Sequence, residues 1–114
     1  MVKKRLYTPD RGDVVWVDLN PAQGHEQKNV RPALVLSPRA YNKKTGLVLV
    51  VPITSQQKGY PFEVLLKGKK VNGVVLADQL RTLDWRARKV RYIEHATLAV
   101  VQATQARILA LVAG

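Results

Sequence analysis

Apolar residues in this chain come in short bursts, each cut off by Gly, Pro, Asn or a pair of charges, until about residue 97, where the spacing changes. Asp13 to Leu19 is β-branched and aromatic with partial alternation, and predicts a first strand. Asn20-Pro21-Ala22-Gln23-Gly24 breaks it and opens a polar loop reaching to about Val30. Pro32 to Ser37 predicts a buried strand closed by Pro38; Tyr41 to Gly46 reads as a hairpin turn, and Leu47 to Ile53 as the returning strand. Gln56 to Gly59 forms a second loop, Pro61 to Leu66 a further strand, and Lys67 to Gly73 a turn leading into Val74–Ala77. Asp78 to Arg88 fits either a short helix or irregular chain, before a last strand at Val90–Ile93. From Thr97 onward Leu98, Val101, Gln105, Ile108, Leu111 and Val112 fall on one helical face. Thr97 suits the N-cap of that helix and Gly114 its C-terminal end.

This order predicts a mainly β fold with a C-terminal α-helix: a small, strongly curved antiparallel barrel of SH3-like or CcdB-like type, one domain over residues 1–114. Such a barrel has little room inside, so function is expected on rim loops. With 46% apolar residues the chain can build a core. No apolar run approaches a membrane span, and the basic N-terminus lacks the apolar stretch of a secretory signal, so no membrane role is expected. The absence of cysteine excludes disulfides and thiolate metal sites and suits a reducing cytoplasm.

Charge sharpens the picture. Nineteen Lys and Arg against 8 Asp and Glu give a formal +11. A charge of that size raises affinity for nucleic acid through counterion release, and attracts acidic proteins equally well. A polyanionic partner is therefore expected.

The candidate chemistry lies where loops meet strand ends. Gly24-His25-Glu26-Gln27 holds an imidazole and a carboxylate, and Arg31 stands at the lip of the next apolar strand. Pro52-Ile53-Thr54-Ser55 delivers a hydroxyl at another strand terminus. Acid/base groups, a fixed cation and a hydroxyl on rigid strand ends suit phosphoryl-transfer chemistry. Arg31 is too weak an acid to be the base, but its planar fork matches two phosphate oxygens. The base is then Glu26 or His25; histidine titrates nearer neutrality, while surrounding positive charge works against a raised glutamate pKa. Lys58, Arg86 and Arg88 are candidate phosphate contacts; Asp18, Gln27 and Gln79 carry side chains suited to base edges, and His25 could serve as a stacking group. Trp16, Trp85 and His95 read as structural.

The segments Asp10-x-Gly12-Asp13, Gly24–Gln27, Arg31–Ser37, Pro52–Thr54, Gly59–Val64, Leu76–Gln79 and Trp85–Arg88, in this order and spacing, resemble the MazF/PemK toxins. The likeness is MazF-like from Tyr41 through Arg88, with a Gly24–Gln27 loop closer to the ChpB branch. The resemblance implies a sequence-specific endoribonuclease of a toxin–antitoxin module, needing no metal or cofactor. It implies a homodimer that cuts single-stranded RNA to a 2′,3′-cyclic phosphate and a 5′-hydroxyl. A cognate acidic antitoxin of the MazE type would inhibit it, and operator DNA would be bound only jointly with that antitoxin. Arg31 and Thr54 match the family's catalytic pair, and Glu26 a supporting glutamate. His25 departs from the serine frequent in MazF, and leaves the choice of general acid and base open.

Two other functions share this fold and charge: a non-catalytic CcdB-like barrel that poisons a protein such as gyrase, and a basic nucleic-acid-binding module without turnover. The Arg31/Thr54 pair discriminates, because neither alternative relies on it.

Overall fold

The computed structural model describes residues 6–19 and 30–114. Strand β1 (Asp13–Asp18) pairs on one side with β2 (Val30–Val35) and on the other with β7 (Arg91–His95). Strand β3 (Leu47–Thr54) lies against the free edge of β2. The other edge of β3 is shared. Strand β6 (Arg81–Asp84) pairs with Leu47 through Val50, and β5 (Asn72–Leu76) pairs with Ile53 and Thr54. Strand β4 (Glu63–Lys67) closes the far side of β5, and every pairing is antiparallel. A 3-10 turn at Ala77–Gln79 carries the chain from β5 to β6. Where β1 meets β7 the register shifts between Val14 and Val15, a bulge of the kind that sharpens a sheet's curvature.

Alternation along β1, β2 and β3 buries both faces. Val15, Val17, Ala33, Val35, Val48 and Val50 fill one side together with Leu83 and Trp85. Val14, Leu34, Val51 and Ile53 face the other way, onto Val64, Leu66 and Val75 of the β4–β5 hairpin and onto helix α2 (Leu98–Ala113). Burying a Val or Leu side chain is worth about 1.5–3 kcal/mol, so these three strands form the stiff frame of the molecule. The curved antiparallel sheet with a C-terminal helix agrees with the fold class read from the sequence. Among the described residues no helix is long and apolar enough to cross a membrane.

Three local expectations are corrected. Residues 41–46 are not a hairpin turn: Arg39–Thr45 is a helix, α1, ended by Gly46 at φ 75°, whose N–H donates to the Asn42 carbonyl. Tertiary bonds favour the helix, because buried Asn42 donates to the Pro9 and Ser37 carbonyls and accepts from Trp85 Nε1. The ambiguous span 78–88 contains β6, whose single buried residue, Leu83, is too little for a strand pattern. In α2, Thr97 caps the N-terminus as predicted, its side chain accepting from the Val100 amide. The buried stripe there is Val101 and Thr104, with Val100, Ala103 and Ile108 partly covered, whereas Leu98, Leu111 and Val112 are exposed. A polar residue joins the stripe because the Thr104 hydroxyl donates to the Val100 carbonyl, as a buried hydroxyl requires.

Candidate active site

The register of β2 on β3 sets Val35 against Val50, Leu34 against Val51 and Ala33 against Pro52. Carried two residues further out, it brings Arg31 across from Thr54, and both line one open cleft of about 470 Å³. Pro32, Pro52 and Ile53 supply an apolar floor; Ser55, Gln56 and Asn72 supply polar walls. Proline suits both strands here, since its fixed φ is compatible with extended chain at a position that needs no ladder donor.

Arg31 is exposed, and its Nη1 donates to the Val30 carbonyl at 3.0 Å, one of its interactions. The Thr54 hydroxyl oxygen accepts from the Gln56 amide at 3.2 Å. That bond fixes the hydroxyl while leaving its hydrogen to donate into the cleft. Among the described residues lining the cleft none is acidic. The arrangement offers N–H donors and one O–H donor to an anion seated between strand ends, on an apolar floor.

Comparison with known proteins shows the family. A family model described as the PemK-like, MazF-like toxin of type II toxin-antitoxin systems matches residues 10–112. The chain belongs to this family. It is 58% identical to the endoribonuclease toxin MazF of Escherichia coli K12 over 82 residues, covering 72% of this chain and 74% of that protein. It is 41% identical to the endoribonuclease toxin ChpB of the same organism over 118 aligned positions, covering 98% of this chain and 99% of that one. The crystal structure of MazE–MazF from Deinococcus radiodurans superposes with a TM-score of 0.84 at 44% identity, covering 94% of this chain and 97% of that one.

In this member of the MazF/PemK family the other described candidate residues are spread over several elements. His25, Glu26 and Gln27 lie outside the described residues. Asp18 ends β1 opposite Val30, and its carbonyl accepts from Arg88 Nη1 at 3.0 Å. Arg88 thus ties the approach to β7 onto β1. Lys58 is exposed in the loop after Thr54, and Gln79 is exposed on the 3-10 turn. Arg86 stacks over Trp85 with Cζ 4.6 Å from the ring centroid, beside Asp84, which pairs with Leu47. Leu47 and Thr54 are the two ends of β3, about 23 Å apart at the usual rise per residue, so Arg86 stands well away from the cleft.

Trp85 is buried, as its structural reading required, while Trp16 is more than one-third exposed on the outer face of β1. His95 Nδ1 lies 3.0 Å from Oδ1 of buried Asp13, whose Oδ2 accepts from the Tyr7 hydroxyl. Burial and that hydrogen bond push the Tyr7 phenol well above its ordinary pKa. The sequence reading omitted Ser55, Gln56 and Asn72 from the site. The first two follow Thr54 directly and could have been named on that ground; Asn72 reaches the cleft only through the β3–β5 pairing and carries no sequence signal.

Proposed function

We propose that this toxin is a sequence-specific, metal-independent endoribonuclease that cleaves single-stranded RNA through its own 2′-hydroxyl. The observation that carries the reading is the seating of Arg31 and Thr54 on adjacent strand ends in one cleft. Relatives bearing the name endoribonuclease toxin at 58% and 41% identity support it.

The scissile phosphate sits between the two side chains. A general base takes the 2′-hydroxyl proton, the 2′-oxygen attacks phosphorus, and the P–O5′ bond breaks as a proton reaches the leaving 5′-oxygen. The products are a 2′,3′-cyclic phosphate and a 5′-hydroxyl. Arg31 holds the phosphorane oxygens with two parallel N–H donors and stays charged throughout. Thr54 adds a third donor to the same charge. Glu26 positions and polarises the nucleophile, and His25 serves as an accessory acid/base or stacking group. A pH–rate profile of His25→Ser against the parent assigns the histidine: an altered limb makes it a proton carrier, and unchanged limbs remove it from the mechanism.

The partner reading follows the same line. The MazE–MazF structure supports a cognate antitoxin, and the formal charge of +11 favours an acidic one lying across the basic surface. We further propose a cytoplasmic homodimer, with operator DNA bound only in company of the antitoxin. The deciding experiment is incubation of purified protein with a defined single-stranded RNA in excess EDTA. Discrete fragments ending in cyclic phosphate are expected. Intact RNA under all conditions would return the chain to a CcdB-like or simple binding role, and cleavage abolished by the chelator alone would overturn metal independence.

A further inference from the structure

We infer that Glu63 is a positioning residue for RNA recognition, acting through the loop that follows Thr54; the inference rests on the nuclease reading above. Glu63 is the first residue of β4 and is buried, an unusual place for a carboxylate in a protein with so few of them. Both its oxygens accept from the Lys58 amide, each at 3.2 Å, and Oε1 accepts from the Gly59 amide at 2.9 Å. Its own amide donates to the Tyr60 carbonyl. The charge is thus spent on backbone donors of a loop that has no ladder of its own, the arrangement that makes burying a carboxylate affordable.

The loop spans from Thr54, which pairs with Val74, to Glu63, which pairs with Leu76, so it arches over β5. Its first residues, Ser55 and Gln56, stand in the cleft, and Gln56 is the donor that fixes the Thr54 hydroxyl. Gly59 turns the arch at φ 81°, and beyond it Tyr60 stacks on Phe62 with half of its surface exposed. Arg107 of α2 holds the descending side through the Pro61 carbonyl at 2.9 Å. The arch therefore presents Gln56, Lys58 and Tyr60 in a fixed arc: an amide for base edges, a cation for phosphate and an aromatic face for stacking. Such an ordered arc lowers the entropy cost of holding an RNA strand. The Thr54 backbone is secured by its β3–β5 pairing, and Gln56 lies only two residues beyond it, so the Thr54 hydroxyl depends far less on Glu63 than Lys58 and Tyr60 do.

The test compares Glu63→Ala and Glu63→Gln with the parent on a defined single-stranded RNA and on a long mapped transcript. Glu63→Ala is expected to raise KM about tenfold or more while kcat stays within about threefold, and to add cut sites on the transcript. Glu63→Gln keeps one oxygen that can accept from both amides, and is expected to restore KM and the parental cut pattern. Slow hydrogen exchange of the Lys58 and Gly59 amides in the parent is expected as well, a readout that does not require a foldable alanine variant. Parental KM and cut sites in Glu63→Ala, or fast exchange at both amides in the parent, would overturn the positioning role alone. Failure of the parent to cut any RNA would overturn the nuclease reading and this role with it.

Discussion

A β-carbon built on Gly73 would stand 2.2 Å from the carbonyl oxygen of Thr54, closer than any side chain can be. The β5 backbone is thus pressed against the β3 end that carries the candidate hydroxyl. Gly73→Ala would have to push Thr54 outward, since the obstructing atom is backbone. We expect kcat to fall by about 10–100-fold with the fold retained, because displacements of about 1 Å at a reacting centre have effects of that size. Steady-state cleavage together with circular dichroism checks this; a parental kcat would show that the strand end absorbs the shift.

Arg31 and Thr54 are expected to respond differently to conservative changes. Arg31→Lys keeps the charge but loses the fork, and should lower kcat by about 100-fold. Thr54→Ser keeps the donor and should stay within about tenfold of the parent, while Thr54→Val removes the donor in nearly the same volume and should fall well below it. Single-turnover cleavage distinguishes these outcomes. Full turnover by the doubly alanine-substituted protein would end the proposed mechanism.

The Tyr7 phenol, partly buried and donating to Asp13, is expected to govern behaviour in alkali. Its pKa is raised in the folded state, so its contribution is complete below the unfolded value of 10.0 and is lost as pH rises beyond it. Of the four tyrosines, one should resist ionisation until the protein unfolds, which ultraviolet titration would show. Tyr7→Phe should be about 1 kcal/mol less stable near neutrality yet lose less stability above pH 10.

Glu94 predicts the opposite sign at the acid end. Burial works to raise its pKa, but the Val71, Lys70 and Lys69 amides, which donate to its carboxylate, and the Lys70 charge outweigh it and leave the pKa below the ordinary 4.5. Stability from this group is present above the unfolded value and disappears as pH falls through the lower folded one. Protection of the Lys69–Val71 amides, taken relative to intrinsic exchange at each pH, should therefore fall below pH 4.5 in the parent and stay level over that range in Glu94→Gln. A parental hairpin equally protected in acid would refute the assignment.

The strands that make the frame were legible because their signal is local. Leu47 to Thr54 and Asp13 to Asp18 are β-branched runs that must be buried wherever they pair. Helix α1 was not, because Tyr-Asn-Lys-Lys-Thr-Gly has turn chemistry and its helical state is fixed by Asn42 bonds to Pro9 and Trp85, far away in sequence. The helical face of α2 was misread because its buried stripe includes a threonine and leaves leucines in solvent. At the site, the chemistry of Arg31 and Thr54 could be named from residue type and strand ends. Their meeting depends on the β2–β3 register, which no local pattern encodes. Glu63 was invisible as a participant, since a lone glutamate at a strand start carries no signal until its loop partners are seen.

The divided edge of β3 gives the molecule two tiers of resistance to heat. One end of that strand is zipped by four ladder pairs to β6, while the end bearing Thr54 has only two, Ile53 and Thr54, with β5, although the hairpin's Val64, Leu66 and Val75 also pack into the shared core. Short latches open before frames melt. Warming should therefore fray the end bearing Thr54 before the end held by β6, and cleavage should decline ahead of the global melt.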